Sequence, residues 1–345
     1  MLPHSPTIRA PVAALALLCA LLLAAPARAD PSFKFASAAE GRALLSARDE
    51  FIEQMSPFDR AFRLRADRDV SESEYLAVIA QSVLEWESEE KRRVECALQT
   101  IGPALSRLYP PLGASIQLVK TTGRGELAPY TRGNAIVLPM TALASSQRAL
   151  RWILAHEFFH VFSRNNPRLR NALYEAIGFH HCGKVEVPAA LRSRMLTNPD
   201  APRSEHCIRV TYSGRPVWVV PITHAPRYDK ASRQELIGLV DLTLLLVEKD
   251  SVSGVARPIV GAGEPSWVGV DRVRGFFEQI GRNTGYIVHP EEILADNATL
   301  LTLGQRNVAS PEILSRTAAL LGGNPTAGQN GGEGSLAPKG DCPEP

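Results

Sequence analysis

The sequence predicts an α+β fold, mainly helical, with a small mixed sheet and a β-hairpin insertion. Three observations predict it. Several stretches carry apolar residues at helical spacing behind Ser-x-x-Glu starts, the pattern of a capped amphipathic helix. Ser115 to Lys120 and Asn134 to Leu138 are short β-branched runs that read as strands. Cys207 to Tyr212 and Val217 to Ile222 flank Ser213-Gly214-Arg215, the signature of a hairpin. At 345 residues, 45% apolar and 21% charged, the chain has the composition of a globular protein with a sizeable core.

Residues 1–29 stand apart. Arg9 precedes the apolar run Val12 to Ala25, and Ala27-Arg28-Ala29 is a small-x-small cleavage site before Asp30. This predicts a secretory signal peptide cleaved after Ala29, and so a periplasmic or secreted protein with no stable membrane insertion once it is removed. The run is too short to span a bilayer comfortably. Cleavage removes two arginines and no acids from a chain of 38 basic and 36 acidic residues, which leaves net zero charge. With no basic block and no aromatic-basic interleaving, nothing points to a nucleic-acid partner.

Residues 30–111 read as an N-terminal helical region. Ser37 with Glu40 opens one helix, expected to run to Met55. Ser71 with Glu74 opens a second, expected to continue through Ile101 until Pro103 and Pro110-Pro111 end it. The charge run from Glu85 to Arg93 reads as a solvated face. Residues 112–321 read as the core region. Asn134 to Leu138 is expected either at a sheet edge, where an extended peptide could pair, or inside the sheet.

The helix expected from Ser145 or Ser146 to Asn165-Asn166-Pro167 carries the chemistry. It contains His156-Glu157-Phe158-Phe159-His160, set among Ile153, Leu154, Val161 and Phe162. Two histidines four apart share one helical face and can share one zinc ion, with Glu157 in reach of a water there. An apolar helix holds a carboxylate and two imidazoles only if they are paired or bind metal. A shorter helix follows, ending at Ile177 before Gly178.

Residues 179–230 read as a loop-rich, proline-punctuated insertion that holds the hairpin. Leu236 to Val247 is apolar and fits strand or helix equally. Asp271 to Ile280 reads as a short helix. His289-Pro290-Glu291-Glu292 opens another, its acids suited to the helix dipole. Ser310-Pro311-Glu312 opens the last helix, and 322–345 has the composition of a disordered tail.

A catalytic zinc takes three protein ligands. Glu292 is the preferred third, with Asp296 four residues on to hold a ligand imidazole in one tautomer and Ala295 small enough for close helix approach. Glu175, on the next helix, is the alternative third ligand. His289, Tyr286 and Tyr228 are candidates to stabilise an oxyanion. Four cysteines remain after signal removal. Cys182 and Cys207 are the preferred disulfide, and Cys96 with Cys342 follows by elimination. The chain has no nucleophile elbow, P-loop or dinucleotide fingerprint.

His-Glu-x-x-His followed by Glu292-x-x-Ala295-Asp296 resembles the gluzincin zinc metallopeptidases, especially the HtpX-like and ImmA-like branches. The resemblance rests on two motifs and their order. It implies a zincin-like core, Zn2+ as cofactor, the downstream glutamate as third ligand, and peptide-bond hydrolysis of a protein or peptide substrate. The chain departs from those branches in the long gap between His160 and Glu292, and in having a signal peptide without transmembrane helices. The alternative function is a non-catalytic exported protein with a structural zinc or no metal.

Overall fold

A computed structural model describes residues 31–126, 128–226, 239–250, 254–259, 266–322 and Cys342. The expected signal peptide, Tyr228 and almost all of the expected tail lie outside the described residues. In chain order the elements begin with β1 (Phe33–Phe35), α1 (Ala38–Leu45), α2 (Glu50–Gln54), α3 (Pro57–Leu64), α4 (Glu72–Ser82) and β2 (Val83–Leu84). Then come α5 (Ser88–Leu108), β3 (Ile116–Thr121), β4 (Tyr130–Arg132), β5 (Ala135–Pro139), α6 (Met140–Leu143), α7 (Gln147–Asn165) and α8 (Pro167–Ala176). The remainder is β6 (Phe179–His181), β7 (Lys184–Val185), α9 (Ala189–Arg192), β8 (His206–Tyr212), β9 (Arg215–His224), β10 (Asp241–Asp250), β11 (Val255–Pro258), β12 (Trp267–Val268), α10 (Phe277–Ile280), α11 (Pro290–Thr302) and α12 (Pro311–Leu321).

The chain is mixed α and β, with more sheet than expected. A first, mixed sheet has the order β1-β3-β5-β4, with β2 also on β3. Side chains alternate along it, as the two-residue period of a strand requires. Ile116, Leu118, Ile136 and Leu138 face one core with α5, α7 and α11, while Val119, Ala135 and Val137 face another with the helices before Ser82. The strand Asn134 to Leu138 is therefore interior: β5 pairs β3 on one side and β4 on the other, and β4 is the edge.

The proline-punctuated stretch after Gly178 is not irregular throughout. It supplies β6 to β9 of a second, seven-stranded sheet, β6-β8-β9-β10-β11-β7, with β12 on β10. The expected hairpin is β8–β9. Ser213 and Gly214 both have positive φ (47° and 77°), the conformation a two-residue type I′ turn demands. From Asp241 on, the ambiguous apolar stretch is strand β10, because both its edges find partners, while residues 236–238 lie outside the described residues.

Three expected helices are broken or run on. The first stops at Ser46, because the Asp49 side chain caps a new start at the Ile52 amide. The second breaks at Val83, which turns extended and pairs with β3. Past it, α5 runs through Pro103 to Leu108. The ring forfeits one backbone hydrogen bond, but burial of Ile101, Ala104, Leu105 and Leu108 holds the helix together. Asp271 to Ile280 is a 3-10 turn and then the four-residue α10, not one helix. Nor is the charge run wholly solvated. Arg93 is buried and donates to the Leu143 and Ser145 carbonyls, while Gln147 donates back to the Arg93 carbonyl at 3.1 Å. These bonds fix where α7 starts.

The preferred disulfide is also corrected. Cys96 on α5 is bonded to Cys342, whereas Cys182 and Cys207 are buried free thiols. The β6–β8 register places His180, not Cys182, opposite Cys207. Cys182 is a diagonal neighbour whose thiol meets that of Cys207 in a hydrogen bond, so the expected pair is in contact but carries no S–S bond. Cys182 Sγ instead donates to the Glu205 carbonyl at 3.4 Å. Among the described residues, no helix is long and apolar enough to cross a membrane.

Candidate metal centre

Two helices build the site. Ser146 caps α7 at the Ala149 amide, and Leu154, Phe158, Phe159, Val161 and Phe162 bury it in the main core. The His289 side chain caps α11, accepting from the Glu291 amide at 3.1 Å, and Pro290 takes the first helical position. Ile293, Leu294, Ala295, Ala298 and Leu301 are buried in the same core. Ala295 is fully buried, as a close crossing of α7 and α11 requires.

The crossing brings His156, His160 and Glu292 together as a nearly buried group that can hold a metal ion, one ligand atom from each lying within 4.8 Å of the others. Glu292 Oε2 stands 3.1 Å from His156 Nε2 and 3.4 Å from His160 Nε2. A tetrahedral zinc with bonds of about 2.0–2.1 Å spaces its ligand atoms roughly 3.3 Å apart. The donor set fits that ion. His160 Nε2 is buried without a hydrogen-bond partner, which a metal bond would satisfy.

The opposite face of each ring is held. Asp296 Oδ1 lies 3.0 Å from His156 Nδ1, the role expected of it, and Thr284 Oγ1 donates to its other oxygen. Glu291 does the same for His160, with Oε1 3.0 Å from Nδ1, and is itself held by Ser163 and Tyr174. These bonds leave both Nε2 atoms facing Glu292. Sequence reasoning missed the role of Glu291. Its signal was the adjacent pair Glu291-Glu292, which looked like two dipole-friendly acids.

Glu175 is not in the group. It is exposed on α8, and its neighbour Tyr174 is the residue that turns inward to Glu291. Tyr286 reaches the site: its ring stacks over His156 at 6.3 Å between centroids. His289 serves as a cap. Asn198 and Asp200, unforeseen, also arrive. Asn198 Nδ2 donates to Glu292 Oε1 at 2.6 Å, and Asp200 joins Glu157 and His160 in a second group of possible ligands.

No family model matches the chain, and no curated protein or solved structure matches it. The chemistry of the group must therefore be read from its own atoms.

Burial works against a charged His156, but hydrogen bonds to Asp296 and Glu292 outweigh it and raise the ring to about 10. His160 is raised well above the usual range against the same opposition, chiefly by the charge of Glu292. Burial opposes ionisation of Glu292 and Glu291 too, yet the histidines hold both low. The acids favour positive charge where the ring nitrogens converge, which a divalent cation would supply. Glu157 behaves oppositely. It is buried, its Oε2 has no partner, and burial followed by the charge of Asp200 pushes it up to about 8.

Two predictions follow from these contacts. Glu291→Gln should weaken metal binding about 10–100-fold, the usual cost of losing the partner behind a ligand histidine. Competition titration against a zinc chelator measures it, and unchanged affinity would make Glu291 a bystander. The second concerns stability of the chelator-treated protein. Glu157 holds its proton more tightly folded than unfolded, so its contribution is lost as pH rises from 4.5 through about 8. That of His156 is full below 6.5 and is lost as pH rises through about 10. Glu291 and Glu292 contribute above 4.5 and lose their contribution as pH falls below it. Thermal melts should therefore peak between about pH 4.5 and 6.5 and decline towards pH 10. A melting temperature that rises up to pH 10 would contradict these assignments.

Proposed function

We propose that this chain is an exported zinc metallopeptidase with a zincin-like core, in which His156, His160 and Glu292 would hold the ion. One observation carries the reading. Glu157, whose Oε2 is buried without a partner, lies in a group with His160, beside three ligand atoms spaced for a tetrahedral cation. When bound, zinc polarises a scissile carbonyl and makes the attacking water acidic. Glu157 Oε2 then accepts the proton of that water and passes it to the leaving amine. Its raised proton affinity suits that work near neutral pH. Asp296 and Glu291 keep both imidazoles oriented. Tyr286, whose ring stacks on that of His156, is the donor this reading assigns to a developing oxyanion.

A protein or peptide is the substrate in this reading. The Cys96–Cys342 disulfide supports an oxidising compartment, in keeping with the signal peptide expected at the N-terminus. The deep burial of His160 and Glu292 favours one other reading, a structural zinc in a non-catalytic exported protein. Purified mature protein should contain about one zinc per chain by elemental analysis, and should hydrolyse unfolded casein in a chelator-sensitive manner. Stoichiometric zinc with no hydrolysis of casein or a peptide library would favour the structural reading. Absence of any bound divalent metal would remove both.

A further inference from the structure

The metal centre is covered by a piece of the same chain. His160 and Glu292 are each 1% exposed and Glu157 is 4% exposed. Residues 197–201 make hydrogen bonds on several sides of the site. At one end the Thr197 amide donates to buried Asp59 at 2.9 Å, and its carbonyl accepts from Arg63. In the middle Asn198 donates to Glu292, and its own oxygen accepts from the Asp200 amide at 2.9 Å. At the far end Asp200 Oδ1 accepts from both the amide and the hydroxyl of Thr131, each at 2.7 Å. Arg164 clamps this end, donating to Thr131 Oγ1 and to the Asp200 carbonyl.

Thr131 is the middle residue of β4, the edge strand of the first sheet. Its amide points away from β5 and is the group an incoming extended peptide would use. Asp200 supplies an acceptor where the carbonyl of such a peptide would lie, and Asn198 links the Asp200 amide to Glu292. We propose that residues 197–201 form an intrasteric strap: the resting protein is slow, and a peptide reaches the metal centre only by displacing the Asp200–Thr131 contact. The inference rests on the peptidase reading and adds to it how access is controlled. The bonds to be broken are few, local and partly solvated, so opening needs no rearrangement of either sheet.

The zinc-loaded full chain tests this through the rate at which it yields zinc to a small chelator in excess. Asp200→Ala should raise that rate about ten-fold or more, the effect of losing hydrogen bonds to a charged acceptor. Thr131→Val keeps the amide and removes only the hydroxyl, so it should raise the rate by a smaller factor. Both variants should cleave unfolded casein faster than wild type. Zinc loss and casein cleavage at wild-type rates in both would overturn the strap. Hydrogen exchange on the wild-type chain gives an independent reading, even where Asp200→Ala fails to fold. The Thr131 and Thr197 amides should exchange slowly, and exchange at open-loop rates would also overturn it. If Asp200→Ala sheds zinc faster yet cleaves casein no more than an inactive wild type does, the strap stands and the peptidase reading fails instead.

Discussion

Glu157→Gln is expected to leave zinc bound and to lower casein hydrolysis by about 10²–10⁴-fold, the range a positioned general base contributes. Glutamine has the same shape, cannot take a proton from water, and is not one of the three atoms spaced for the ion. The fold should gain. Glu157 Oε2 is buried without a partner, and burial disfavours its charge. A neutral amide removes the cost of neutralising the acid on folding, so at neutral pH the chelator-treated variant should be more stable by about 1–3 kcal/mol. Zinc content and turnover of the loaded protein, with a thermal melt of a chelator-treated portion, read all three effects. Full turnover in the variant would take Glu157 out of the chemistry. Lost zinc would make it a ligand, through the second group it forms with His160 and Asp200. The rise in stability sets this prediction apart from simple damage, because a mutation that disorders the site lowers the melting temperature along with activity.

The parts of this site that could be read from sequence are those with a local period. His156 and His160 are four apart, as are Glu292 and Asp296, so each pair lies on one helical face. Ser146 and Pro290 marked the helix starts because capping is decided within one turn of chain. Ser213-Gly214 marked its turn because few residues tolerate two positive φ angles in succession. What escaped was set by distant partners. Val83 has the apolar character of a helix face, and only β3, far along the chain, makes it a strand. Asn198 and Asp200 sit in a proline-punctuated stretch with no period, and they acquire roles only because Thr131 and Glu292 lie beside them. Glu291 differs from Glu292 by one position on a helix, about 100° of rotation. That rotation points one carboxylate at Nδ1 of His160 and the other at its Nε2. The first turn of a helix gives no sequence signal for which acid takes which direction.

The other large effect is expected at Glu292. Glu292→Gln should weaken zinc binding by more than about 100-fold, beyond the 10–100-fold cost of removing a partner behind a ligand. Three things change together. The anionic oxygen near both Nε2 atoms becomes a neutral amide, a poorer ligand for a divalent cation. Asn198 Nδ2, now bonded to Oε1, keeps its partner if the new side chain presents oxygen there, which turns the amide nitrogen towards the imidazoles. His156 and His160 also lose the charge that raises them. Two imidazoles then share a buried space with no acid between them, so the chelator-treated variant should be less stable than wild type at pH 5–6, where both rings tend to protonate. Glu175→Gln is the control. Its side chain is exposed on α8, outside the group, and its zinc affinity should match wild type within about two-fold. Equal zinc binding by Glu292→Gln and wild type would dismantle the centre described above. A loss confined to Glu175→Gln would mean that α8 turns a different face inward than the one on which Tyr174 meets Glu291.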